Sequence, residues 1–342
     1  MKPFKHIIII LFIFILANSC IKTLTNYKLN EKPYKLVIHG SCSPDSLMKL
    51  YITRSLPYFS KQSYKLNTEA TVNVYSNGEL LESLDDLGNG WYGSNSFYPA
   101  EGQSYEIVAE AEGYESARAS IHIPEKMDIE LLEYTVTEHE PEGCYGCSPD
   151  YRLNISFNLY DNVNEENYYD LSLILNVKEF IYEEDSVYDP VFDEYFVYDY
   201  RIIDSMNVEY NTPIETNEHI VDIEKYGYDY WKVSPDYTPY GDELIFRDLH
   251  FNGETFSFSF YASDIFYTGY DINSISLRIT SVEKDFYTYA TSMAAVSETE
   301  DNPIAEPASV FTNIDGGLGI AYGYTQKNIE IEVPEIEDYT YY

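Results

Sequence analysis

From residue 34 to about residue 126 the chain alternates apolar and polar positions with a period of two. The runs YKLVIHG (34–40), LYITRS (50–55), ATVNVYSNG (70–78), WYGSNSFYP (91–99), QSYEIVAEAEGY (103–114) and ARASIHIPE (117–125) are rich in β-branched and aromatic residues. An extended chain places every second side chain on the same face, so Val72 and Val74, or Tyr105, Ile107 and Ala109, are expected to share a buried side. Glycine and asparagine in SNG, LGNG and AEG supply the turns between these strands. Short strands at this spacing predict a β-sandwich over residues 34–126.

After Pro124 the pattern weakens. The acidic stretch EKMDIELLEYTVTEHEPEG reads as a strand-poor linker, placed at 127–150, that ends in a pair of cysteines. Alternation returns in YRLNISFNLYD (151–161) and NYYDLSLILNVKEF (167–180), and again in DELIFRDLHF, TFSFSFYASD and SISLRITSV, which together predict a larger β-rich domain over 151–342. Residues 181–243, dominated by Tyr, Asp and Glu, read either as long loops or as a decorated hairpin. One segment changes period: Phe286, Tyr289, Ala290, Met293 and Val296 recur at helical spacing, with Thr280 and Glu283 as a capping box. This predicts a mainly β protein with one amphipathic helix near its C-terminus. The glycine-rich NIDGGLGIAYGY (313–324) reads as a turn feeding a terminal strand, because the Lys-Ser or Lys-Thr of a phosphate loop does not follow its glycines.

The N-terminus says where the protein is sent. Lys2 and Lys5 precede an unbroken apolar run from Ile7 to Leu16, the form of a secretory signal and about half the length of a membrane span. The signal is assigned to 1–19. Ala17-Asn18-Ser19 before Cys20 has the form of a bacterial lipobox, which makes Cys20 the lipidated residue and 20–33 a tether between lipid and fold. Charge removes one class of partner. With 58 acidic residues against 21 basic the chain carries a formal charge of −37, and phosphate binding by counterion release needs the opposite sign. No nucleic-acid partner is expected.

The most direct chemistry lies in EGCYGCSP, residues 142–149. Exported thiols tend to be oxidised, so a disulfide between Cys144 and Cys147 is the first expectation, with Cys42 free or in an alternative pairing. A redox pair would need a βαβ setting, whereas Pro149 and a β pattern follow. A metal site of His139, Cys144, Cys147 and Asp150 lacks the second Cys/His pair that zinc spacing requires. No hydrolase elbow or metalloprotease helix occurs, and His122, alternating in ASIHIPE, reads as a strand surface residue. The DNVNEEN loop offers oxygen ligands for calcium without the EF-hand's alternation or its glycine, and is not assigned as a site. No metal or cofactor is expected. The tyrosines, 37 in all, cluster at Tyr195, Tyr198 and Tyr200 and at Tyr226, Tyr228, Tyr230 and Trp231. Such rings suit either a ligand-facing surface or simple strand formation.

The strand order over 34–126 resembles the small immunoglobulin-like or transthyretin-like modules of exported bacterial proteins. More widely, the lipobox, the mid-chain DNVNEENYYDLSL, the helix DFYTYATSM and above all NPIAEPASVFTNIDGGLGIAYGY resemble the Bacteroidota lipoproteins catalogued as domain of unknown function 4249. Such a resemblance covers nearly the whole mature chain. It implies an outer-membrane lipoprotein, often encoded beside a TonB-dependent transporter, with no catalytic residues to carry over. Surface lipoproteins of that phylum carry acids after the lipidated cysteine, whereas Ile21-Lys22-Thr23 stands here, so the periplasm-facing and cell-surface leaflets both stay open. Asp45-Ser46-Leu47, Asp185-Ser186-Val187 and Asp204-Ser205-Met206 match the phylum's O-glycosylation triplets. The expected role is a non-catalytic accessory or substrate-binding partner of a transporter barrel. The alternatives are an autonomous adhesin for glycan or protein, and a redox or metal-handling protein built on Cys144 and Cys147.

Overall fold

The computed structural model describes residues 33–57, 61–139, 150–162, 165–189, 194–212, 214, 224–225, 244–249, 251–263, 265, 270–300 and 309–334. All of these except Pro33 and Pro57 belong to one compact unit, Tyr34–Leu56 with Lys61–Tyr342. The signal segment, Cys20, Cys144, Cys147 and the Tyr226, Tyr228, Tyr230 and Trp231 cluster lie outside the described residues.

Seven strands form the first layer pair: β1 Leu36–Cys42, β2 Lys49–Arg54, β3 Ala70–Ser76, β4 Glu79–Gly88, β5 Trp91–Gly93, β6 Ser104–Ala111 and β7 Ala117–His122. Six of them form on the runs where alternation places them; β4, almost wholly exposed, lies outside those runs. Val72, Val74, Ile107 and Ala109 are fully buried and Tyr105 nearly so, in one core with Leu36, Ile38, Leu50, Ile52 and Ile121. β4 belongs to both layers: its Leu84 pairs with Val72 of β3, and its Asp85–Gly88 end pairs with β5. The β3–β4 turn needs positive φ at two successive residues, and Asn77 (51°) and Gly78 (80°) provide it at little steric cost.

The second sandwich packs β8 Asp128–His139, β9 Asp150–Tyr160 and β14 Thr255–Ala262 over β10 Tyr168–Asp189, β13 Leu244–Arg247 and β15 Tyr270–Val282. Its core interleaves Phe157, Phe258 and Phe260 with Tyr169, Leu171 and Leu173 of β10 and with Ile275, Leu277 and Ile279 of β15. β8 corrects the linker expectation. Residues 128–139 form a strand paired with β9, because Ile129 is buried in this core while Leu131, Tyr134 and Val136 pack against it. The Tyr-rich region resolves in part as a hairpin: β10 pairs with β11 Glu194–Thr212 from Leu173↔Thr212 to Asp189↔Glu194. A two-residue strand, β12 Glu224–Lys225, pairs with β13.

The last strand, β16 Leu318–Ile331, alters the expected division of the chain. Its first half pairs in parallel with β1, from Val37↔Leu318 to Cys42↔Gly323, and its second half pairs antiparallel with β15, from Val282↔Tyr324 to Ile275↔Ile331. The sandwich read from 34–126 alone is therefore completed by a strand close to the C-terminus, and one sheet runs through both halves. Ala321 enters the first core and Ile331 the second.

The helix α1, Lys284–Glu300, follows β15 directly and is the one α-helix among the described residues. Phe286 and Ala290 are buried, as the spacing predicts. The capping box is not made: Thr280 lies within β15, paired with Gln326. Glu283, at the helix start, turns its carboxylate toward two backbone amides of neighbouring strands. No helix among the described residues is long and apolar enough to cross a membrane.

Candidate functional site

Side chains that alternate away from the two cores meet on the reverse face of the shared sheet. On β16, out of phase with Ala321 and Thr325, these are Ile320, Tyr322, Tyr324 and Gln326. On β1 and β2 they are His39, Ser41, Lys49 and Tyr51, on β10 Asp170 and Ser172, and on β15 Arg278 and Thr280. With Trp91 from β5 and Phe286 and Tyr289 from α1, these residues line an open cleft of about 540 Å³. The helix forms one wall because Phe286 stacks on Tyr322 with centroids 4.1 Å apart. Val282, Phe286 and Ala290 bury a small separate cluster with Tyr168 and Ile245 that fixes the helix to the sheet.

At the other wall Tyr51 and Trp91 meet at 4.8 Å, and the Lys49 ammonium lies 4.2 Å from the Trp91 ring centroid. This pairing covers an indole with a cation and leaves the ring half-buried. Burial together with the Tyr64 hydroxyl pushes the Tyr51 phenol up to about 12. Burial lowers His39 below the usual imidazole range, so it is neutral at pH 7. Arg278 is held in place by Asn328 Oδ1 at 3.2 Å and Glu209 at 3.9 Å. The cleft therefore presents aromatic faces, a few hydroxyls and a small number of fixed charges.

Behind the helix start lies Glu283. Its carboxylate accepts hydrogen bonds from the His122 N–H and from the Gly323 N–H, the latter at 2.8 Å. Burial pushes this carboxyl up to about 8, against the two amides, which favour the anion. One side chain thus ties α1 to β7 and to the middle of β16.

The residues singled out from the sequence fare unevenly. Cys42 is a free thiol, fully buried in the first core, and burial raises it to about 12, so it is neither paired nor reactive. His122 is exposed on β7 with Nδ1 3.0 Å from Ser104 Oγ, a strand surface residue as read. Ser46 and Ser205 are exposed, the first at the cleft rim. Tyr195, Tyr198 and Tyr200 fall on β11. Among the described residues no group of three or more His, Cys, Asp or Glu side chains is arranged to hold a metal. Sequence reasoning passes over His39, Lys49, Trp91, Tyr322 and Tyr324. For all but Lys49 the signal is an aromatic ring in the outward phase of a strand, where exposed strands usually carry aliphatic polar side chains.

The glycine-rich segment serves packing. A Cβ on Gly319 would overlap the Ile38 carbonyl, one on Gly323 the His122 carbonyl, and one on Gly317 would stand 2.9 Å from the Leu36 carbonyl. These glycines let β16 lie against β1 and the end of β7 at backbone distance.

No curated protein matches the chain significantly. Among solved structures it is similar to a putative membrane anchored protein from Corynebacterium diphtheriae, at 11% identity and a TM-score of 0.18, over 74% of this chain and 55% of that one. The chain thus spans about half the length of that neighbour. The model of a domain of unknown function, DUF4249, matches residues 22–330, which hold both sandwiches, the helix and all but the last residue of β16, and the chain belongs to that family.

Proposed function

We propose that the protein is a lipid-anchored outer-membrane lipoprotein that binds its ligand without turnover, as an accessory or substrate-binding partner of a TonB-dependent transporter. The cleft between β2, β16 and α1 is the binding surface. The observation that carries this reading is its lining: the aromatic faces of Tyr51, Trp91, Phe286, Tyr322 and Tyr324 set among hydroxyls and the charges of Lys49, Asp170 and Arg278 in a preformed concavity. Its ligand presents a flat apolar face beside hydroxyls or amides, as sugars and short peptides do. The signal sequence and Cys20 support the anchor.

A glycan array and a peptide array probed with the mature chain test the cleft directly. Trp91→Ala should weaken a bound ligand by about tenfold or more, the effect of losing a central aromatic contact. Binding that survives both Trp91→Ala and Lys49→Ala unchanged would remove the cleft from the reading. An autonomous adhesin is the second reading, favoured by the exposed Ile202 and Met206 on β11, which offer a protein partner an apolar surface.

A further inference from the structure

A cluster of oxygen atoms at the far end of the second sandwich holds one buried carboxylate oxygen with no donor. Between β9 and β10 stand Asp161, the carbonyls of Asn162 and Glu165, and Asn167; the turn after β13 supplies Asp248, 81 positions beyond Asn167. Four oxygens surround the single Asn167 Nδ2: Asp161 Oδ1 at 3.3 Å, and the Asn162 carbonyl, the Glu165 carbonyl and Asp248 Oδ2 at 3.4 Å each. All four contacts are long, and three of the four oxygens accept from other donors: Asp161 Oδ1 from the Tyr169 hydroxyl, the Glu165 carbonyl from Asn252 Nδ2 at 2.7 Å, and Asp248 Oδ2 from the Asn167 N–H.

The second carboxylate is the unusual member. Asp248 is 1% exposed; its Oδ2 also accepts the Asn167 N–H at 2.9 Å, while its Oδ1 is buried with no hydrogen-bond partner. The orphan oxygen thus belongs to a carboxylate whose other oxygen is bonded to Asn167. Asp161, half-buried, is anchored by the Tyr169 hydroxyl and the Gly253 N–H. The nearest cations, Arg247 and Lys284, pair with Glu166, at 3.8 and 3.3 Å. Two carboxylates thus stand on either side of one amide, and the cations nearby are drawn to a third.

We propose that Asp161, Asn167 and Asp248, with the carbonyls of Asn162 and Glu165, form a calcium site. All the donors are oxygen, and both carboxylates and backbone carbonyls contribute, which suits a hard cation of six to eight ligands with water completing the shell. Turning the Asn167 amide over adds its Oδ1 as a fifth protein ligand; the two ends of an amide are nearly equal in shape. The ion gives Asp248 Oδ1 the partner it lacks and cross-links the chain after β9 to the β13–β14 turn. This site stands apart from the cleft and does not depend on its function.

The test uses the full mature chain, stripped with chelator and titrated with calcium by calorimetry, alongside thermal unfolding. One saturable site is expected, with Kd on the order of 10⁻⁴–10⁻³ M as in extracellular modules, and a rise in Tm with calcium. Asp248→Asn should abolish the saturable site, and the exposed Glu112→Gln should leave it intact. Since Asp161→Asn also disturbs the Tyr169 and Gly253 bonds, Asp248→Asn is the decisive variant. In chelator it should melt at or above the wild type, because it removes one of two neighbouring charges. Absence of a saturable site in the wild type, its survival in Asp248→Asn, or a lower Tm of that variant in chelator would each overturn the assignment.

Discussion

Single residues in β16 carry constraints that side-chain contacts alone do not reveal. Gly323 lies under the His122 carbonyl, and its own N–H is bonded to Glu283. Gly323→Ala should cost at least about 3 kcal/mol by urea unfolding, since the obstructing atom is backbone and has no rotamer to yield. Glu283 sets a pH dependence. Its folded-state carboxyl is raised to about 8, so the folded state holds the proton more tightly than the unfolded one. Its contribution is full below the ordinary glutamate range and falls as pH rises from about 4.5 to about 8. Glu283→Gln should flatten stability across that window, read as Tm against pH, because the amide has no proton to lose there. A wild-type Tm that rises relative to the variant's over the same window would contradict this assignment for Glu283.

Elements differ in how far the sequence disclosed them. Strands β3, β6 and β7 were legible because one face is dry and the other wet, and Val72, Val74, Ile107 and Ile121 record that difference directly. β8 was hidden, because one face of it is solvated and carries Glu130 and Glu133, so its acidity resembled a linker. β16 was legible as a strand but its partners were not, since pairing with β1 across the whole chain leaves no local mark. The cleft was hidden for the same reason: no stretch of sequence places Trp91 beside Lys49 and Tyr51, or Phe286 on Tyr322. The hairpin gives a prediction at this scale. Among the described residues β15 supports β10 only as far as Glu179↔Tyr270, beyond which β10 pairs with β11 alone. An unsupported two-stranded ribbon adds little stability. Replacing residues 182–201 by a tight turn should therefore change Tm by no more than a few degrees, whereas removing residues 318–331 should unfold both sandwiches.

At the scale of the molecule, one sheet joins two sandwiches and leaves its reverse face to a helix and an aromatic cleft. Both cores lie on the same side of β16, with Ala321 facing one and Ile331 the other, so the opposite side is free to serve binding. The chain as a whole is strongly acidic, which favours solubility and a basic partner. The central claim joins this cleft to a membrane complex. The measurement that tests it most directly is a mild-detergent pull-down of the tagged full-length protein from its native membranes, followed by mass spectrometry of what accompanies it. A stoichiometric TonB-dependent barrel is the predicted result; recovery of the protein alone would contradict the accessory role.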